Sequence, residues 1–240
     1  MFSTGGRRGV QYQMRDSVGE QYEGVRRCDN TAIESINLTY KKYSVMTASK
    51  KKSIKGTQTE KLLTASYMNE NQAYARYTFY AAQADKENYF PIGEVFRDTA
   101  ANELRHAKIF FKYLEGGKVP VSLDVDSGVI GDTASNLEIS IAEETAEGVD
   151  AYIEAAKVAR EEGFEDIAKH FEAIAEIERH HRDRFEKYLE QVKAGTVWKR
   201  EKPIEWQCMV CGYIFEGTEP PKVCPACDHP YQHYKALDME

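Results

Sequence analysis

Two stretches of the chain repeat one pattern, Glu103-Leu104-Arg105-His106 and Glu178-Arg179-His180-His181. On a helix, residues three apart share a face, so each Glu-x-x-His aims a carboxylate and an imidazole at one point. With 27 Glu and six His in 240 residues, chance supplies roughly 0.7 such spacings. The chain has two, 75 residues apart, and we read Glu103, His106, Glu178 and His181 as metal ligands. A second constellation lies near the C-terminus: Cys208-x-x-Cys211 and Cys224-x-x-Cys227. Two such turns meeting over one ion form a tetrahedral, all-thiolate site, open on spacing alone to zinc or iron. The first residues show no apolar core of the kind a secretory signal carries, so this spacing reads as metal-binding before it reads as disulfides. Cys28 stands alone, with no role assigned.

Two metals also need bridging carboxylates, and these are expected from two further helices. Glu70 stands seven residues before Tyr77, and Glu144 eight residues before Tyr152. Glu147 falls one turn beyond Glu144 on the same face. Carboxylates with a minority of imidazoles suit iron or manganese and permit a change of valence. Buried in a helix bundle, such carboxylates would be costly without a cation. Tyr74, Tyr77 and Tyr152 lie at the same level, placed to hydrogen-bond the carboxylates or simply to fill the core. Glu87, Glu94, Glu162 and Glu172 read as solvated, as does Glu143, which is turned about 100° from the ligand face. His170 and His180 read as surface or outer residues.

The elements that must position these groups follow from caps, breakers and the repeat. Thr57-x-x-Glu60 has capping-box form and opens a helix running to about Asn88; Pro91 starts a second that stops at Gly116-Gly117. Ser135-x-x-Glu138 opens a third that ends at Gly163, and a fourth runs from about Phe164 to Lys193. Short links make two antiparallel hairpins, and the long connection around residues 117–134 can cross the length of a bundle. The fold is therefore expected to be mainly α, a four-helix bundle of ferritin-like arrangement with one long crossover. An offset of 75 also aligns Tyr77 with Tyr152, Glu87 with Glu162, Phe96 with Phe171 and Phe110 with Phe185. Each hairpin is a version of the other.

Residues 1–56 differ, with Lys and Arg outnumbering Asp and Glu by 11 to 5 and no sustained helical period. They are expected to be disordered or loosely attached, with the natural start at Met46. Residues 57–195 form the bundle, 196–203 a linker, and 204–240 a small four-cysteine domain that must draw its stability from a metal. The net charge of −7 argues against nucleic acid as a partner. No apolar run is long enough to span a bilayer as a helix.

The words Asn69-Glu70-Asn71-Gln72-Ala73, Glu103-x-x-His106-Ala107-Lys108, Glu144-x-x-Glu147 and Glu178-x-x-His181 resemble the rubrerythrin family over residues 53–240. Cys208-x-x-Cys211-Gly212-Tyr213 and Cys224-Pro225-x-Cys227, with Trp206, Tyr213 and Phe215 to pack around them, resemble rubredoxin, except that Asp228 stands where a free-standing rubredoxin usually has Gly. The resemblance implies a cytoplasmic peroxidase that reduces hydrogen peroxide to water. It implies two non-haem irons held by Glu70, Glu103, Glu144, Glu147, Glu178, His106 and His181, one of which exchanges Glu147 for His106 as its oxidation state changes. It also implies a third iron on the four cysteines as the electron port, fed by a separate NAD(P)H reductase or a rubredoxin. A homodimer or higher oligomer would dock the tail of one chain on the bundle of another. A ferritin-type iron-oxidising or storage protein and a non-catalytic zinc-ribbon protein are the alternatives.

Overall fold

The computed structural model describes residues 52–123 and 128–239, which belong to one compact body beginning at Lys52. The expected start at Met46 and most of the N-terminal extension lie outside the described residues. From Lys52 the chain is engaged. Ile54 is buried in the apolar core, and its N–H and the Ser53 hydroxyl both donate to the Glu115 carboxylate.

Helix α1 spans Gln58–Lys86, and its N-cap Thr57 accepts from the Glu60 N–H at 3.1 Å. The Glu60 carboxylate reaches back to the Gly56 N–H at 2.8 Å, so both partners of the expected capping box are engaged. Helix α2 spans Phe90–Tyr113 with Pro91 in its first turn, where a missing N–H costs nothing. Helix α3 spans Thr133–Glu143. Its cap is Asp132, which accepts from the Ser135 N–H at 2.8 Å; Ser135, expected as the cap, is the residue that Asp132 caps. A π-helical segment, Glu144–Asp150, follows without a break and leads into α4, Ala151–Glu161. The third helix is thus interrupted where a continuous one was expected. Helix α5 spans Glu165–Ala194 and ends on Gly195 at φ 66°, a left-handed C-terminal residue.

α1 packs along α2, and α4 along α5. The two hairpin turns are built alike. Asn88 at φ 64° and Gly163 at φ 79° take left-handed positions, and the Tyr89 and Phe164 N–H groups close onto the Ala84 and Ala159 carbonyls at 2.8 and 2.7 Å. Glu87 and Glu162 precede these turns, and neither is merely solvated. Glu87 accepts from the Thr133 N–H and hydroxyl at the start of α3; Glu162 accepts from the Gln58 N–H and from the Thr59 N–H and hydroxyl at the start of α1. Orphan N–H groups at helix starts need acceptors, and each hairpin supplies one to the other.

One apolar cluster gathers around Leu63, Phe110, Tyr152 and Phe171, another around Tyr77, Phe96, Phe185 and Leu137. Beyond α5, the antiparallel strands β1 (Ile204–Cys208), β2 (Ile214–Gly217) and β3 (Tyr234–Ala236) pair in the order β2-β1-β3 over the buried Trp206 and Tyr234. This tail is seated on the bundle. Trp198 stacks on Tyr89, His233 stacks on Phe90 with centroids 4.0 Å apart, and Lys235 lies 3.5 Å from Glu94.

Candidate metal centre

Six ionisable side chains meet between the two apolar clusters: Glu70 on α1, Glu103 and His106 on α2, Glu144 at the start of the π segment, and Glu178 and His181 on α5. None is more than 5% exposed. Helical spacing sets each Glu-x-x-His pair, and the hairpin packing turns the pairs toward each other. His106 Nδ1 lies 3.0 Å from both Glu103 and Glu178 and 3.9 Å from Glu70. His181 Nδ1 lies 3.1 Å from Glu103, 2.8 Å from Glu178 and 3.8 Å from Glu144. The donor atoms of Glu70, Glu103, His106 and Glu178 all lie within 4.8 Å of one another, and so do those of Glu103, Glu144, Glu178 and His181.

Glu103 and Glu178 belong to both groups, which corrects the expectation that the shared carboxylates come from the first and third helices. Glu70 and Glu144 each serve one group. The reason is packing: α2 and α5 present their carboxylates toward both imidazoles, whereas α1 and the π segment flank the cluster.

The tyrosines cross over. Tyr77 on α1 donates to Glu144 at 2.7 Å, and Tyr152 on α4 donates to Glu70. Tyr74 is 39% exposed and is no part of this arrangement. Glu147 lies within the π segment, and its side chain falls outside the described residues.

Burial raises Glu70 and Glu144 well above the usual carboxylate range, and the charges of Glu103 and Glu178 push them further. Burial would raise Glu103 too, but the adjacent His106 and His181 imidazoles outweigh it and hold that carboxyl at about 2. Burial would lower the two imidazoles, but Glu103 and Glu178 outweigh it and lift His106 to about 9 and His181 to about 10. Both oxygens of Glu178, one of Glu103 and His181 Nδ1 are buried without a properly directed hydrogen bond. Atoms that converge at ion-pair distance yet make no good bond to each other are what two cations at the centre would satisfy.

Three contributors left little trace in the sequence pattern. Arg76 is buried and pairs with Glu143, which is therefore not solvated; a guanidinium at this depth needs a carboxylate partner. Gly148 lets the π segment press on α5, since a Cβ there would meet Glu178 Cβ and Cγ at 2.8 Å. Asn102 touches the outer nitrogen of His181. Arg76, Glu143, Gly148 and Gln72 line a cavity of about 30 Å³ that reaches Glu70 and Glu144.

In the tail, Cys208 and Cys227 Sγ lie 3.7 Å apart, as do Cys211 and Cys224. A tetrahedral ion with metal–sulfur bonds of about 2.3 Å places its sulfurs about 3.8 Å apart, so the four thiols fit such an ion. Asp228 occupies the left-handed region at φ 59°, which Gly enters freely and Asp is among the few other residues to tolerate.

The sequence model of rubrerythrin matches residues 61–189 and 135–206, and that of the rubrerythrin rubredoxin-like domain matches 206–235. A rubrerythrin of Porphyromonas gingivalis is 44% identical over 186 residues, covering 78% of this chain and 93% of the relative.

The chain belongs to the rubrerythrin family.

A rubrerythrin of Nitratidesulfovibrio vulgaris is 42% identical, with 78% of this chain and 98% of the relative covered. Among solved structures, fully reduced, all-ferrous nigerythrin superposes with a TM-score of 0.51 at 28% identity, over 80% of this chain and 92% of that one. A Mycobacterium tuberculosis bacterioferritin superposes at 0.50 and 22% identity, over 57% and 86%, a likeness of fold. The chain thus carries the rubrerythrin di-iron domain with its Glu/His cluster, and a rubredoxin-like four-cysteine site. No helix among the described residues is long and apolar enough to cross a membrane.

Proposed function

We propose that this chain is a peroxidase that reduces hydrogen peroxide to water, protecting its cell against oxidative stress. One observation carries the reading: two overlapping carboxylate–imidazole groups share Glu103 and Glu178, and the same chain bears a tetrahedral thiolate site. Residues 57–195 would carry out the reduction, 196–203 link, and 204–240 deliver electrons. Glu70, Glu103, Glu144, Glu147, Glu178, His106 and His181 would hold two irons, with Glu147 and His106 alternating on one; Cys208, Cys211, Cys224 and Cys227 would hold the third. Two ferrous ions in the cluster would supply the two electrons that break the O–O bond.

The chain's own groups do the rest. Tyr77 and Tyr152 hold the Glu144 and Glu70 carboxylates by hydrogen bonds and so fix where their free oxygens point. The 30 Å³ cavity admits one or two water-sized groups, room enough for hydrogen peroxide. The Arg76–Glu143 pair closes one wall of that cavity with matched charges.

Electrons would come from an NAD(P)H reductase or a rubredoxin, in the cytoplasm. His233 meets α2 at Phe90, thirteen residues before Glu103, or about 20 Å along the helix. That separation favours a homodimer in which the tail of one chain serves the cluster of another. The tail also weighs against a ferritin-type storage role, which has no use for a thiolate-held electron port.

Iron and zinc counts, a visible spectrum and anaerobic peroxide consumption test the reading together. Iron at both sites with peroxide-dependent oxidation supports it; a colourless, zinc-only protein overturns it. Glu147→Ala is expected to abolish peroxide turnover while the red iron–thiolate absorption of the tail persists, and unchanged turnover would count against its role.

A further inference from the structure

The two imidazoles of the cluster face it in the same way, each through Nδ1. Their outer nitrogens differ. His181 Nε2 lies 3.3 Å from the side-chain amide of Asn102, one residue before Glu103 on α2. The offset of 75 that maps His106 onto His181 maps Asn102 onto Ile177, which precedes Glu178 on α5. Ile177 is 38% exposed and purely aliphatic, so it offers His106 neither donor nor acceptor. The repeat has kept the ligands and changed the residue behind one of them.

We propose that Asn102 is a positioning residue that fixes the His181 ring through its outer nitrogen and makes the cation position of Glu144 and His181 tighter than that of Glu70 and His106. When Nδ1 holds a cation, Nε2 carries the proton and donates it. A half-turn of the Asn102 amide presents Oδ1 as the acceptor, and the bond holds the ring plane and raises the basicity of Nδ1. His106 has no such support from the pseudo-equivalent position and more easily turns away from its cation. The inference rests on reading the Glu/His cluster as a two-cation site.

Anaerobic titration calorimetry with ferrous iron tests it, using the full chain with the cysteine site already loaded with iron and verified by its thiolate colour. The wild-type cluster is expected to take two ions of unequal affinity. Asn102→Ala should weaken the tighter position about 10-fold or more, the usual range for losing such a partner, and leave the other unchanged; Asn102→Asp, which still accepts, should restore the difference. Ile177→Asn should tighten the weaker position. Equal affinities in the wild type, no change in Asn102→Ala, or equal loss at both positions would overturn the inference while leaving the two-cation reading intact. No uptake at all by the wild-type cluster would overturn that reading instead. If Asn102→Ala does not fold, as judged by its helical circular dichroism, the exposed substitution Ile177→Asn decides alone, and an unchanged weaker position defeats the inference.

Discussion

The first hairpin brings Glu70, Tyr77, Glu103 and His106 to the cluster; the second brings Glu144, Tyr152, Glu178 and His181. The parts match in kind and order, yet Glu70 and Tyr77 are seven residues apart where Glu144 and Tyr152 are eight. Seven residues are close to two α-helical turns, so both side chains of the first hairpin face the cluster from an unbroken helix. Eight residues of α-helix would swing one of the pair away by about 80°. The second hairpin absorbs the extra residue in its π segment, Glu144–Asp150, and both Glu144 and Tyr152 keep their cross-bundle hydrogen bonds. A one-residue difference is thus taken up in the backbone so that the geometry of the ligands is preserved. Such single-turn π insertions concentrate at functional sites. This one places Gly148 against Glu178.

Substitutions that separate shared from unshared ligands should have the largest effect. Glu178→Ala or Glu103→Ala removes a carboxylate common to both donor groups and is expected to empty both positions. Glu70→Ala should cost one ion and leave the second. Iron counts per chain, corrected for the thiolate iron, read the difference, and one ion retained in Glu178→Ala would contradict the shared role.

Gly148→Ala acts where the π segment presses on α5. Its Cβ would overlap Glu178 Cβ and Cγ, atoms too close to the backbone to swing aside, so a destabilisation of about 1–3 kcal/mol is expected. Urea unfolding and the iron count should both register it. A variant as stable as wild type would mean that the close approach is not needed.

Smaller effects should reveal how alike the hairpins are. Glu87→Ala and Glu162→Ala each remove acceptors from the first turn of the opposite hairpin. Each is expected to cost about 1 kcal/mol, with near additivity because the two share no partner. Markedly different losses would show that the turns are equivalent in form only.

The pH dependence should be the smallest effect. Burial would raise Glu162 and Glu87, but hydrogen bonds from Thr59 and Thr133 respectively outweigh it, so both carboxyls titrate below their ordinary value of 4.5. Their contribution is therefore fully present above pH 4.5 and is lost as pH falls through the lowered values. Glu162→Gln should flatten that part of the acid limb of a stability–pH curve. An unaltered acid limb would exclude Glu162 as its source.

Much of this was legible along the chain because the signals are local. Glu-x-x-His on a helix and Cys-x-x-Cys on a tight turn fix ligand geometry within four residues, and Thr57, Pro91 and Gly163 mark helix ends by their own preferences. The repeat showed that the hairpins are related, and with it that Glu70 and Glu144 correspond. Even the π segment cast a shadow as the slip from seven to eight. Other features depend on which helix faces which. Glu143 looked solvated because its helical phase points away from the ligand face; it is Arg76, from another helix, that gives it a buried partner. Glu87 and Glu162 looked like surface charges because the N–H groups they satisfy lie 46 and about 100 residues away.

Residue types and spacing placed the helical hairpins, a Glu/His cluster and the four thiols, since these follow from periodicity within single elements; of the seven Glu and His residues expected as ligands, six meet in that cluster and the side chain of Glu147 lies outside the described residues. Tertiary packing settled that Glu103 and Glu178 are the shared carboxylates, that Tyr77 and Tyr152 hold the opposite hairpin's glutamates, and that Asn102 stands behind one histidine only. Those facts depend on distances between elements, and spacing along one helix carries no record of how the next helix lies against it.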